Sequence, residues 1–160
     1  MKQPFPPGSL FLAPMVALSH RALRELIFEF GGLDFAYTEM ASAAAVLSGS
    51  PYEGCYLDAG PEPEKVVYQL YATKPERLPE ALAYLSNRPE TGGPVFGADI
   101  NFGCAAPHIT RAGGGAAWMR EPEKAFELVR AARSAWDKTL SAKIRLGLDE
   151  DYARGLPELA

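Results

Sequence analysis

Histidine and cysteine are both scarce in this sequence, and their scarcity removes several classes of chemistry at once. Two cysteines, Cys55 and Cys104, make neither a disulfide scaffold nor a zinc cluster, and so suggest a reducing compartment. Two histidines, His20 and His108, with scattered acids, form no ligand cluster, so no metal is expected. A membrane-length apolar run is missing too. The nearest, Leu10 to Leu18, is short and broken by Pro14, and with one lysine before it makes a poor signal peptide, so a cytoplasmic chain without membrane contact is expected. Positive charge is also in deficit: 16 Lys and Arg against 20 Asp and Glu leave a formal net charge of -4, so no global field advertises nucleic acid or an acidic membrane. What is present, 48% hydrophobic residues in a chain of 160, suffices for the core of one globular domain.

Along the chain, apolar runs alternate with amphipathic ones. Ser9 to Met15 has the form of a buried strand, and Ser19 is placed to cap the following helix, whose apolar face is Leu23, Leu26, Ile27 and Phe30 up to Gly31-Gly32. Asp34 to Thr38 predicts a second strand, and Met40 to Leu47 an alanine-rich helix. Ser48 to Lys65, crowded with Gly, Pro, Asp and Glu, predicts a long loop containing Cys55, either lining a ligand or packed by its own side chains. Val66 to Tyr71 is the third strand. Thr73 and Glu76 have capping-box spacing with Pro75 between them, ahead of a helix face of Leu78, Ala81, Leu82 and Leu85. After the linker Asn87 to Pro94, Val95 to Asn101 predicts a fourth strand; Pro122 starts a helix with Ala125, Leu128, Val129, Ala132 and Trp136 inward. Leu140 to Leu146 predicts a fifth strand, with Lys143 and Arg145 on one face, answered by an anion or an internal acid.

The unusual chemistry is concentrated between Asp99 and Gly115. A carboxylate, an amide and a thiol, Asp99, Asn101 and Cys104, fall within one turn, and Arg111 precedes Gly113 to Gly115, whose backbone amides could lie against an anion or a flat ring. A glycine-rich loop around a buried thiol is the plainer alternative.

Strands alternating with helices imply a parallel α/β fold, in which binding residues gather at the carboxyl ends of the strands. Pro14 and Met15, Glu39, Gln69, Asn101 with Cys104, and Lys143 with Arg145 all fall there. Five strands directing polar residues to the same end favour an enzyme over a scaffold.

Leu12-Ala-Pro-Met15, Thr38-Glu-Met40, Gln69-Leu70, Asn101-Phe-Gly-Cys104, Arg111 with its glycines and Lys143-Ile-Arg-Leu-Gly147 come in an order and spacing that resembles the dihydrouridine synthases, flavin enzymes that reduce uridine in tRNA. The resemblance implies a TIM (β/α)₈ barrel, of which this chain supplies about the first five β/α units, with FMN as cofactor and NADPH as reductant, and tRNA as partner through a further helical domain. Pro14 and Met15 would touch the flavin ring, Gln69 its pyrimidine edge, and Lys143 its N1 region. Glu39, Asn101, Arg111 and Arg145 would lie on the substrate side, Asn101 and Arg145 facing the uracil or the flavin. Cys104 would protonate C5 of uracil after hydride from flavin N5 reaches C6. A thiol with an ordinary pKa of about 8.5 is mostly protonated at neutral pH and can serve as that acid untuned.

The sequence departs from the family pattern at two places: Cys104-Ala-Ala-Pro107 delays by two positions the proline that usually follows the cysteine, and Arg111 stands where lysine is common. A complete barrel needs about 250 residues, so 160 are expected to be the N-terminal portion of the catalytic domain, with open edges at Leu10 to Pro14 and Leu140 to Leu146 prone to self-association. Alternatives are a non-catalytic remnant binding RNA or protein, and another FMN barrel dehydrogenase acting on a free pyrimidine.

Overall fold

A computed structural model of the chain describes residues 5–87 and 95–145. Its centre is a wholly parallel sheet of six strand segments: β1 (Phe11–Leu12), β2 (Phe35–Tyr37), β3 (Ala41–Ser42), β4 (Val66–Tyr71), β5 (Gly97–Asn101) and β6 (Thr139–Lys143), in the order β1-β2-β4-β5-β6 with β3 also paired to β4. Parallel neighbours in sequence order require a crossover at every step, and right-handed crossovers that never reverse direction keep their helices on one face. A doubly wound sheet would reverse its strand order; this one does not, and the result is a half-barrel, as in part of a (β/α)₈ barrel.

The helices are α1 (Arg21–Phe30), α2 (Ala43–Leu47), α3 (Pro51–Tyr56), α4 (Arg77–Ser86), α5 (Pro107–Arg111) and α6 (Pro122–Ala135), with α2 packing on α4 and α4 on α6. Strand side chains alternate between faces. Val66, Tyr68 and Leu70 of β4 and Ala98 and Ile100 of β5 therefore point one way, into a core completed by Leu78, Ala81, Leu82 and Leu85 of α4 and Ala125, Leu128 and Ala132 of α6 with Trp136. Fully burying each such leucine is worth about 1.5–3 kcal/mol. The other face starts aromatic at its amino end, where Phe5, Phe11, Phe35 and Phe96 pack together, and becomes polar toward the carboxyl end.

Several sequence expectations are corrected. The second strand is interrupted: β2 ends at Tyr37 and a short β3 occupies Ala41–Ser42, so α2 begins at Ala43 rather than Met40. His20, not Ser19, caps α1, its Nδ1 accepting from the Leu23 N–H at 3.4 Å, because the Ser19 hydroxyl is held by the backbone of Met15. The expected apolar face of α1 is poorly covered: Leu26 and Phe30 are 48% and 82% exposed, while the buried side chain is Arg24, whose Nη1 donates to the Ser19 carbonyl at 2.6 Å and whose Nη2 donates to that of Asp58. Ser48 to Lys65 is not one loop. Pro51 starts α3, a 3₁₀ turn spans Pro63–Lys65, and Asp58 Oδ1 accepts from the Gly60 N–H at 3.0 Å, so local bonds order the stretch and leave Cys55 exposed on α3.

The capping box at Thr73 is also absent, and α4 starts at Arg77 with no side-chain cap. Residues 72 and 73 are held elsewhere: the Trp118 indole N–H donates to the Ala72 carbonyl at 2.9 Å, and Gly114 packs against Thr73. The last strand is Thr139–Lys143, and Leu146 and Gly147 lie outside the described residues, as does most of the linker after Asn87. Among the described residues, β6 pairs only with β5, so Lys143 and Arg145 are exposed rather than enclosed in a doubly covered strand.

Candidate active site

The polar end of the inner face follows from register. Gln69 of β4 pairs with Asp99 of β5, Asp99 with Ser141 of β6, and Asn101 with Lys143, so these side chains share one face in two successive rows. They bond in series. Ser141 Oγ donates to Asp99 Oδ1 at 2.6 Å, Gln69 Nε2 donates to Asp99 Oδ2 at 2.7 Å, and Asn101 Nδ2 donates to Gln69 Oε1 at 2.9 Å. Asn101 Oδ1 then accepts from the backbone N–H groups of Gly103 and Cys104 at 3.1 and 2.8 Å. Tyr37 OH stands 3.5 Å from Ser141 Oγ. Burial pushes the Asp99 carboxyl above its ordinary range against the opposing pull of Ser141, Gln69 and the Lys143 charge; burial likewise raises Tyr37.

Cys104 sits half-buried at the end of this series, its backbone tied on both sides: its N–H goes to Asn101, and its carbonyl accepts from the Ala116 N–H at 2.8 Å. The glycine run serves that second tie. Gly115 has φ +55°, and a Cβ there would lie 2.4 Å from the Cys104 carbonyl oxygen; Gly114 and Gly115 are buried against the chain itself. These two glycines therefore admit close approach of the protein to its own thiol loop, rather than of a ligand to exposed amides.

On the other side, the loop after β1 is shaped by Glu39. This buried carboxylate accepts from the Ala17 N–H at 2.6 Å and holds Ala17 at φ +61°, the one non-glycine residue in the left-handed region among those described. Met15 is fixed by its N–H donating to Ser19 Oγ at 2.8 Å.

Between these walls lies a hollow of about 190 Å³. Pro14, Val16 and Met40 give it an apolar side, and Gln69, Asn101, Lys143 and the Gly103-Cys104 loop a polar one. The structure thus brings together five of the expected site residues, Pro14, Gln69, Asn101, Cys104 and Lys143. Four others do not line it: Met15 and Glu39 shape the neighbouring loop, Arg111 is exposed at the end of α5, and Arg145 is exposed beyond β6. Val16, Met40, Ser141 and Tyr37 had been given no role, and Asp99 only that of the carboxylate in the turn. Asp99, Ser141 and Tyr37 each stand two residues before an expected site residue, Asn101, Lys143 and Glu39.

Asn101 has little bonding capacity to spare, since Gln69, the thioether of Met40 at 3.6 Å and two backbone amides occupy its amide group. Gln69 keeps one N–H and one lone pair. A larger hollow of about 600 Å³ lies beside α4 and α6, over Trp118, Pro79 and Leu128, but neither cysteine lines it. The smaller hollow has the chemistry. Among the described residues no three metal-ligating side chains cluster, and no helix is long and apolar enough to cross a membrane.

Comparison with known proteins converges on one family. The family model for dihydrouridine synthase matches residues 11–157. A probable tRNA-dihydrouridine synthase of Aquifex aeolicus is 32% identical over 158 residues, covering 96% of this chain and 48% of that protein. The tRNA-dihydrouridine(16) synthase of Pseudomonas syringae pv. tomato is 34% identical over 163 residues, covering 92% and 49%. The tRNA-dihydrouridine(16) synthase of Cupriavidus necator is 34% identical over 152 residues, covering 88% and 45%. The chain spans about half the length of these curated relatives.

Proposed function

The chain belongs to the dihydrouridine synthase family, and from that premise we propose that its 160 residues are the N-terminal portion of an FMN-binding catalytic barrel that reduces uridine to 5,6-dihydrouridine in tRNA. In this reading the five sheet positions are the first five β/α units of a (β/α)₈ barrel, and the rest of the barrel and a helical tRNA-binding domain correspond to the half of the relatives that this chain does not match.

The observation that carries the reading is the meeting of Gln69, Lys143 and Cys104 around one hollow with an apolar wall opposite. That donor set suits the pyrimidine end of an isoalloxazine ring. Gln69 offers its spare N–H and lone pair to an edge that alternates donors and acceptors, Lys143 offers positive charge, and Pro14 and Met40 offer flat apolar contact. FMN, reduced by NADPH, would supply the hydride for C6 of uracil. Cys104 gives its S–H proton to C5 as charge builds there, and Asn101 holds the thiol loop in place for that transfer. Glu39 fixes the loop that carries Pro14 and Met15, while Arg111 and Arg145 supply exposed cations toward the RNA. The exposed Leu10, Phe11 and Phe30 at one edge and Ile144 at the other make these 160 residues prone to self-association.

Two measurements test the reading. Titrating FMN with the chain is expected to quench flavin fluorescence, and Lys143→Ala or Gln69→Ala to weaken that binding. With unmodified tRNA and NADPH, in a protein containing the whole barrel, Cys104→Ala is expected to lower the reduction rate by about 10²–10⁴-fold, the usual contribution of a positioned acid. A Cys104→Ala variant as fast as wild type would remove the thiol from the mechanism.

A further inference from the structure

Asp99 has no part in the chemistry above, yet it is a carboxylate only 2% exposed, in the row beside the hollow. A buried anion is expensive unless both oxygens are answered, and here both are: Oδ1 by Ser141 and Oδ2 by Gln69. The question is what that arrangement accomplishes.

A primary amide can be turned over with little change of shape, exchanging its oxygen and nitrogen. Gln69 and Asn101 each have two such orientations, and two ends of fixed polarity choose between them: the Asp99 carboxylate, and the Gly103 and Cys104 N–H groups that can only donate. An ionised carboxylate does distinguish them, because it accepts and cannot donate. Gln69 must therefore turn its N–H toward Asp99, which leaves its Oε1 toward Asn101. Asn101 must answer that oxygen with its own N–H, which leaves its Oδ1 toward the amides of Gly103 and Cys104. Reversing either amide would set oxygen against oxygen or N–H against N–H. The negative charge at one end and the backbone N–H donors at the other thus demand the same polarity of every link between them.

We propose that Asp99 is a positioning residue, with Ser141 and Tyr37 behind it: its carboxylate locks the amide orientation of Gln69 and, with the Gly103 and Cys104 N–H groups at the other end, holds Asn101 in register and so aims the loop bearing Cys104. The relay also decides what Gln69 presents to the hollow, namely its remaining N–H and the remaining lone pair of Oε1. The assignment rests on the reading of Cys104 and Gln69 as site residues for its functional meaning, but its physical content is independent of any cofactor.

The test uses the full chain labelled with nitrogen-15. Asp99→Asn keeps the shape but lets the group present either oxygen or N–H, so the series is held at the thiol-loop end alone. The side-chain amide resonances of Gln69 and Asn101 are then expected to shift or double. Hydrogen exchange at the Cys104 amide should rise by about tenfold, as expected when one hydrogen bond's net contribution to local opening is lost. The side-chain amide of Asn87, which donates to the Ala83 carbonyl on the outside of the fold, should not move. Alkylation of Cys104 should speed up relative to the exposed Cys55, which serves as internal reference. If Asp99→Asn does not fold, Ser141→Ala, which removes only one of the two bonds to the carboxylate, should give a smaller change at the same resonances. Unmoved Gln69 and Asn101 amides, in Asp99→Asn or failing that in Ser141→Ala, would overturn the relay. The functional reading fails separately: an undiminished Cys104→Ala enzyme would leave these resonance changes intact while removing their catalytic meaning.

Discussion

Replacing Gly115 with alanine isolates the strain that the thiol loop imposes on the chain. At φ +55° an alanine costs roughly 1–2 kcal/mol relative to its preferred right-handed conformation. The new Cβ would also stand 2.4 Å from the Cys104 carbonyl oxygen, a backbone atom that cannot swing aside. Relief requires the two segments to part, which weakens the Ala116 N–H bond to that carbonyl, worth about 1 kcal/mol. The sum is about 2–3 kcal/mol, or about 4–12 °C in melting temperature at this chain length. Gly32→Ala is the matched control: its φ is +82°, but nothing lies within 4 Å of the added Cβ, so only the conformational cost applies. Thermal melts followed by circular dichroism should place Gly115→Ala well below Gly32→Ala, and Cys104 should alkylate faster in the former only. Equal melting temperatures for the two variants would refute the account of the glycine run as a close-packing device.

Three further outcomes follow from individual charged groups. Arg24→Met should cost about 2–4 kcal/mol by urea denaturation, because it strands the Ser19 and Asp58 carbonyls that the guanidinium now satisfies. The cost is moderated because Arg24 Nε already lacks a partner. Asp99, whose carboxyl is raised by burial, holds its proton more tightly folded than unfolded. Its contribution is most favourable below about pH 3.9 and is lost as pH rises through the raised value, so the urea midpoint of Asp99→Asn should fall less than that of wild type across that interval. Asp58 has the opposite sign. Burial pushes it up, but the hydrogen bonds from Arg21 and the Gly60 N–H and the charges of Arg21 and Arg24 outweigh burial and lower it. Its contribution is present above about pH 3.9 and lost as pH falls through the lowered value, so Asp58→Asn should flatten the acid side of the profile.

Those elements that were legible in the sequence were those whose pattern is decided locally. Val66 to Tyr71 forms a strand over the expected residues, and the inward faces of α4 and α6 are those read from spacing, because each element buries a continuous stripe. The site was legible as a set of strand ends, since any parallel sheet with helical crossovers collects its polar side chains there. What was not legible depended on partners distant in sequence. Ser19 looks like a cap, but the Met15 backbone claims it; Thr73 looks like the start of a capping box, but the Gly114 packing claims it. The apolar stripe of α1 is present in the sequence, yet among the described residues it is Arg24 that the fold buries, because two carbonyls converge there.

The interruption of the second strand is the clearest case of such hidden information, and it carries its own test. Tyr37 pairs with Val67 and Ala41 with Leu70, so four steps along β2 and β3 match three along β4, and one residue is extra. Because side chains alternate, that extra residue reverses their sense: Ala41 joins the core beside Leu70, whereas an unbroken strand would have turned it to the opposite face, with Tyr37 and Gln69. The bulge leaves a gap in the ladder, and Thr38 fills it, its hydroxyl accepting from the Gln69 N–H at 3.1 Å while donating to the Glu39 carbonyl at 2.9 Å. Thr38 is fully buried, so packing and hydrogen bonding make opposite forecasts for its substitution. If volume dominates, valine, which matches its shape, should be tolerated and serine should leave a void. If the hydroxyl bridges the ladder, Thr38→Val strands two buried backbone groups and should cost about 1–3 kcal/mol, whereas Thr38→Ser should cost roughly 1 kcal/mol for the lost methyl. Melting temperatures that rank serine above valine support the bridge; the reverse order would mean that the strand is interrupted for some reason other than the threonine.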